Sequence, residues 1–92
     1  MYRITEKMLE SRVKHLNKLT NSPESSYTKD DSGNYTANIG NYHLSFAYGG
    51  VALERMESTG GSVSSVFNCG HVPKRELMQR IDAYIAGIND TH

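Results

Sequence analysis

The sequence holds a single cysteine and no tryptophan, and only two of its 92 residues are phenylalanine. One cysteine cannot close a disulfide within the chain, a pattern typical of proteins from a reducing compartment. Hydrophobic residues make up 37% of the chain, below the usual globular share, so the core must be built from Leu, Ile, Val, Met and Tyr. A chain of this length forms one core, and we expect one domain over residues 1–92.

Charge of one sign and long hydrophobic runs are missing too. Ten basic and ten acidic residues cancel, so the positive field that draws proteins to nucleic acid polymers is lacking. No apolar stretch approaches the roughly 20 residues that cross a bilayer, and no apolar signal segment follows Met1. We therefore expect a cytoplasmic protein that binds neither membranes nor nucleic acid polymers. Small domains often complete their burial by self-association, which favours a homodimer or higher homo-oligomer.

The N-terminal part of the chain has the pattern of a helix followed by a loop. Thr5 is a suitable N-cap, and apolar residues recur at the spacing of one helical face, which predicts a helix over residues 5–20. Pro23 prevents its continuation, and the polar residues as far as Gly33 predict a loop and turn.

From residue 35 onward the pattern changes to that of strands. Apolar residues alternate with others along residues 42–48, and the diglycines at 49–50 and 60–61 are hairpin signals, so we expect at least three antiparallel strands, the third over residues 62–67. With Gly49 and Gly50 as the two turn residues, the predicted partners are Tyr48 with Val51, Phe46 with Leu53, Leu44 with Arg55, Ser45 with Glu54, and His43 with Met56.

The C-terminal part is the most regular. Pro73 suits a first helical turn, and an apolar stripe from Leu77 to Ile88 predicts an amphipathic helix that ends near Gly87 and Asn89. The predicted fold class is therefore α+β, an antiparallel β-meander flanked by an N-terminal and a C-terminal amphipathic helix.

Residue types that carry catalysis or metals are sparse. Cys69 and His71 lie close together, but a zinc site needs four ligands, or three and a water, so we expect no metal. The acidic pairs Asp30–Asp31 and Glu54/Glu57 fall in a predicted turn and strand, where nothing indicates the dry surroundings that paired catalytic carboxylates need. We expect no cofactor and no enzyme activity.

Two local features favour ligand binding. Tyr48 precedes Gly49-Gly50, which would place an aromatic ring beside bare backbone that a planar ligand could approach; the plainer alternatives are a simple hairpin turn and a core tyrosine. Lys74 and Arg75 open the second helix, where the helix dipole disfavours cations unless an anion is bound; the plainer alternative is that both side chains extend into solvent.

Four segments together resemble a family of small phage and prophage proteins: Asn41–Leu44, Ala47–Val51, Gly60–Gly61 and Gly70–Leu77. Within that set the chain is most similar to the Thoeris anti-defence sponges, phage proteins that sequester cyclic ADP-ribose signals and, in some members, cyclic oligonucleotides of related immunity systems. The resemblance implies a sponge in the host cytoplasm that binds a nucleotide-derived signal without cleaving it, as a dimer with pockets near the subunit boundary.

The resemblance also implies roles for particular residues. The family's pocket aromatic falls on Tyr48 and its phosphate-binding arginine on Arg75, and a polar pocket residue falls on Ser58, where relatives carry the longer Asn. The candidate ligand-binding residues are Tyr48, Gly49, Gly50, Ser58, His71, Lys74 and Arg75. Two alternatives remain open: a small phage protein that binds a host protein partner, and a double-stranded RNA-binding domain, which the zero net charge disfavours.

Overall fold

The computed structural model describes residues 3–68 and 70–90. In chain order its elements are α1 (Glu6–Leu19), β1 (Tyr27–Lys29), β2 (Tyr35–Ala37), β3 (Tyr42–Ala47), β4 (Gly50–Met56), β5 (Val63–Ser65) and α2 (Lys74–Asp90). Strands β3, β4 and β5 form one antiparallel sheet in that order, and β1 and β2 form a separate two-stranded sheet. The α+β prediction, a meander flanked by terminal helices, is confirmed.

The two helices lie together against one face of the three-stranded sheet. α1 contacts α2 and β3, and α2 contacts β4. Because apolar residues recur on one face of each helix, both helices bury a stripe against the alternating residues of the strands. The largest buried apolar side chains are Leu9, Leu16, Val51, Leu53, Met56, Leu77 and Ile81.

Helix α1 begins and ends close to where the sequence predicts. Thr5 has the extended backbone of an N-cap, and its Oγ1 accepts a hydrogen bond from the Met8 N–H at 3.3 Å. The helix ends at Leu19, before Pro23. Helix α2 starts after Pro73 as predicted, and it continues through Gly87 to Asp90.

The predicted register of the β3–β4 hairpin is wrong by two residues. The structure pairs Leu44 with Leu53 and Phe46 with Val51. The two turn residues are therefore Tyr48 and Gly49, with φ of 54° and 76°. Positive φ at both positions is the type I′ geometry, whose twist matches that of the flanking strands.

Packing explains why this register prevails. It places Leu44 opposite Leu53 on the core face, whereas the predicted register would place Leu44 opposite Arg55. Arg55 instead lies across from Tyr42, with its guanidinium 5.9 Å from the centre of the tyrosine ring. A slip of two residues keeps every side chain on its face, so alternation alone cannot distinguish the two registers.

A short hairpin begins where the sequence predicts only a loop and turn, and its second strand, β2, falls where the strand pattern is predicted to start. Strand β1 pairs with β2, and Asp30 Oδ1 accepts the N–H groups of Ser32 and Asn34 at 2.9 Å each, which forms the predicted turn. All three residues of β1 are exposed, so they carry no apolar alternation. The third strand of the meander is also shorter than predicted, since β5 has three residues.

Asn17 joins α1 to the outer edge of β3. Its side-chain amide donates to the Tyr42 carbonyl oxygen at 3.0 Å and accepts the Tyr42 N–H at 2.9 Å. The amide thus occupies the position that a neighbouring strand would take beside Tyr42. Both residues are buried, at 2% and 7% exposure.

The Tyr42 hydroxyl lies 3.1 Å from that of Tyr84, in a partly buried place. Burial, together with the contact with Tyr84, raises the pKa of Tyr42 from 10.0 to about 12. Since this pKa is raised on folding, the stability linked to the neutral phenol is complete below pH 10 and is lost as the pH rises toward 12. We expect phenolate absorbance to show a late titration step that Tyr42→Phe removes. If all tyrosines of the wild type titrated together near pH 10, this burial would be contradicted.

Among the helices of the described residues, none is long and apolar enough to cross a membrane.

Candidate ligand-binding cleft

A cleft of about 700 Å³ lies where the β3–β4 hairpin ends and both helices begin; we call it the hairpin-end cleft. Pockets that bind small molecules usually measure about 300–1,000 Å³, so its size suits such a ligand. Phe46 and Val51 form its apolar part, and Gly49 and Gly50 contribute backbone.

The charges around the hairpin-end cleft are mainly positive. Arg3, Lys74 and Arg75 line it, together with one carboxylate, that of Glu6. Helix α1 begins at Glu6 and α2 at Lys74, so two positive dipole ends and two first turns with N–H groups outside the helical ladder face this region. Convergent cations and helix N-termini make a site of this kind favourable for an anionic group.

Tyr48 is at the tip of the hairpin and is 98% exposed. The alternative that its ring belongs to the core is therefore excluded. The Tyr48 ring is held edge-on to the ring of His71, with centroids 5.8 Å apart and planes at 74°. Its faces are available to a stacked planar group.

The position of His71 shows that the Tyr48 and His71 rings lie on the side of the hairpin away from the helices. Its Nε2 lies 3.2 Å from the Ser45 Oγ, and Ser45 alternates with the core-facing Leu44 and Phe46. The rings and the hairpin-end cleft thus lie on opposite sides of the same turn. Gly49 directly follows Tyr48 and lines the cleft, and a Cβ atom at Gly49 would meet nothing within 4 Å.

Ser58 lies apart from the other candidates. It follows β4 at the end opposite Gly50, in the loop to β5. Its carbonyl oxygen accepts the Gly61 N–H at 3.2 Å and its Oγ accepts the Ser62 N–H at 3.1 Å. Within one chain the structure brings together Gly49, Gly50, Lys74 and Arg75, with Tyr48 and His71 across the turn, and it gives Ser58 a turn-forming role.

Both carboxylates of the Glu54/Glu57 pair have structural partners. Glu54 lies 3.4 Å from the Nε2 of His43, and Glu57 accepts a hydrogen bond from the Ser64 hydroxyl at 2.6 Å. Cys69 lies outside the described residues. Within residues 3–68 and 70–90, no group of three or more His, Cys, Asp or Glu side chains is arranged to hold a metal ion.

Several lining residues were not among the sequence candidates, and of these Arg3, Glu6 and Phe46 add charge or an aromatic ring. Their presence follows from the tertiary arrangement, in which both helices start at the hairpin end. Arg3 precedes the N-cap Thr5 and so carries a cation to this point. The one local signal for Arg3 as a site residue is a basic residue before a helix N-cap. This signal indicates a binding site only when α1 is known to pack beside α2.

Gly50 is required by a close backbone approach. A Cβ atom at Gly50 would lie 3.0 Å from His71 C and Val72 O, beside the two hydrogen bonds that join Val51 and Val72 at 2.8 and 2.9 Å. We expect Gly50→Ala to lower the free energy of unfolding by about 1–3 kcal/mol, because backbone must move. Gly87→Ala, with open space around its Cβ, should raise it by about 0.5–1 kcal/mol. Equal urea midpoints for the two variants would contradict this.

No family model, no curated protein and no solved structure matches this chain.

Proposed function

We propose that this protein is a phage counter-defence sponge, which binds and sequesters a nucleotide-derived immune signal in the host cytoplasm without cleaving it. The signal is of the cyclic ADP-ribose type or a cyclic oligonucleotide. The observation that supports this most is the convergence of Arg3, Lys74 and Arg75 with two helix N-termini in the hairpin-end cleft.

Phosphate groups are the ligand part that this cleft suits best. Guanidinium groups bind phosphate oxygens through two parallel hydrogen bonds, and the N–H groups of a first helical turn add further donors. The single carboxylate, Glu6, leaves an excess of positive side chains around the cleft. A bound phosphate would also offset the unfavourable placement of Lys74 and Arg75 at a helix start, which costs about 0.3–1 kcal/mol per exposed cation.

A base or other planar ring has a place on the far side of the turn. The exposed Tyr48 ring, supported by His71, offers an aromatic face, and stacking of a base on an aromatic side chain contributes about 1–3 kcal/mol. Gly49, directly after Tyr48, lines the cleft and presents no side chain there. A ligand with rings joined through phosphates can therefore bend around the hairpin end.

Self-association would enclose such a ligand, and we propose a homodimer or higher homo-oligomer. Among the described residues, the exposed large hydrophobic side chains are Tyr27, Tyr35, Ile39, Phe46, Tyr48 and Val63. Apolar surface of this kind favours association of a small domain. We expect analytical ultracentrifugation at micromolar concentration to give at least twice the chain mass of 10.3 kDa. A single species at the chain mass would contradict this part of the proposal.

Calorimetric titration with cyclic ADP-ribose isomers and cyclic oligonucleotides tests the function. We expect saturable binding of at least one of them. Chromatography of the ligand released by heat denaturation should then return it intact, since a sponge breaks no bond. Recovery of a cleaved product would contradict sequestration. If none of these ligands bound, the alternative of a host protein partner would replace the sponge.

A further inference from the structure

Strand β3 is at the outer edge of its sheet. In an antiparallel strand, the N–H and C=O groups of alternate residues point to the same side. On the outer edge of β3, the N–H and C=O groups of Tyr42 are bonded to the Asn17 side chain. The outward pairs of N–H and C=O groups of Leu44 and Phe46 come next along this edge. Within residues 3–68 and 70–90, no hydrogen bond reaches these two outward pairs.

A groove of about 450 Å³ runs beside this edge; we call it the edge groove. Helix α1 contributes Glu10, Val13 and Lys14 to its lining, β3 contributes residues that include Leu44 and Phe46, and the loop residues 24–26 line it as well. The edge groove thus borders two unused backbone N–H donors and two unused C=O acceptors of β3. It also borders the apolar Val13 of α1, which has the charged Glu10 and Lys14 on either side of it in the lining. Phe46 is 48% exposed here.

We propose that the edge groove binds an extended peptide segment of a partner protein, which adds to β3 as an antiparallel fourth strand. Open strand edges are templates for such addition, in which main-chain hydrogen bonds give affinity and alternate side chains give specificity. This inference is independent of the proposed nucleotide site, although Phe46 borders both.

The geometry defines the chemistry of the segment. Residues that exchange hydrogen bonds with Leu44 and Phe46 lie directly opposite them, so their side chains point to the same face of the sheet, toward α1. These two residues, separated by one, should be apolar, because they meet Leu44, Phe46 and Val13. The residue between them points to the face that carries His43 and Ser45, so it should be polar.

A second copy of β3 fits this groove less well than a peptide does. The Asn17 contact holds α1 against the outer edge of β3. If the β3 strands of two copies paired about a two-fold axis, the two α1 helices would therefore lie beneath two adjacent strands. Strands pair at about 4.8 Å, whereas packed helices need about 8–10 Å. A single added strand requires no second helix in that space.

The probe is the peptide acetyl-Thr-Val-Thr-Val-Thr-amide, titrated into the full chain and followed by amide-resolved NMR. We expect saturable shifts at the amides of Leu44 and Phe46. N-methylation of both valines removes the donors that face the edge and should weaken binding roughly tenfold or more, whereas N-methylation of the central and last threonines should change it less than about twofold. Equal losses for the two peptides, or no saturable shift, would overturn the proposal.

Protein variants separate this groove from other surfaces. Phe46→Ala should weaken peptide binding several-fold, and Tyr35→Ala, which removes a more exposed ring from the β1–β2 hairpin, should not. Arg75→Ala should leave peptide affinity unchanged even if it abolishes nucleotide binding. Shifts at Leu44 and Phe46 that follow protein concentration without peptide would assign the edge to a second copy and overturn the proposal.

Discussion

Arg75→Ala should weaken the binding of a cyclic nucleotide ligand by roughly tenfold to more than a hundredfold, because a charge-assisted hydrogen bond contributes about 1.5–3 kcal/mol. Arg75 is in the first turn of α2 and lines the hairpin-end cleft, where its guanidinium can pair with a phosphate beside backbone donors. Arg75→Lys should restore little of the affinity, since an ammonium group cannot form the two parallel bonds.

Stability should respond differently from affinity. Arg75 is exposed, so its contacts within the chain contribute at most about 1 kcal/mol, and its removal also relieves an unfavourable dipole interaction. The matched control is Arg80→Ala on the same helix, where the side chain bonds Glu76 at 3.2 Å; it should leave ligand affinity unchanged. Calorimetry and melting curves measure both quantities. Unfolding of Arg75→Ala, or equal affinity losses for the two variants, would contradict the assignment.

Asn17→Ala should lower the free energy of unfolding by about 2–4 kcal/mol, because it leaves the N–H and the C=O of Tyr42 without a partner in a buried place. Asn17→Asp should also be destabilising at neutral pH, since it keeps the acceptor for the Tyr42 N–H but sets a carboxylate oxygen against the Tyr42 carbonyl. Neither effect depends on ligand.

Urea unfolding followed by circular dichroism measures these changes. The matched control is Lys18→Ala, an exposed neighbour on the same helix, which should change stability by less than about 0.5 kcal/mol. A loss below about 0.5 kcal/mol for Asn17→Ala would show that water can replace the amide at this edge. The edge would then be wetter at Tyr42 than its 7% exposure indicates.

The elements that the sequence predicts well are those whose signals are local. The Thr5 cap, the apolar stripes of both helices and the strand that contains Leu44 each depend on signals within a few residues, and each is found where it was predicted. Strand β1 was not predicted because it has only three residues and all of them are exposed, so no alternation of apolar and polar residues marks it in the sequence.

Features that depend on tertiary approach could not be predicted. The turn falls on Tyr48 and Gly49 because Gly50 is needed as a strand residue beside Val72, a contact between distant parts of the chain. The role of Asn17 depends on α1 reaching the edge of β3, 25 residues further along the chain. Candidate positions at the hairpin and at the start of α2 could be proposed from the local sequence, but only the packing of α1 adds Arg3 to the same cleft.

Amide-resolved NMR during titration with cyclic ADP-ribose and with a cyclic oligonucleotide tests the central claim most directly, because it locates binding as well as detecting it. We expect saturable shifts concentrated at the amides of Gly49, Gly50, Lys74 and Arg75, which line the hairpin-end cleft. Spectra unchanged at saturating ligand, or shifts confined to the edge groove at Leu44, would contradict the assignment of this cleft as a nucleotide-binding site.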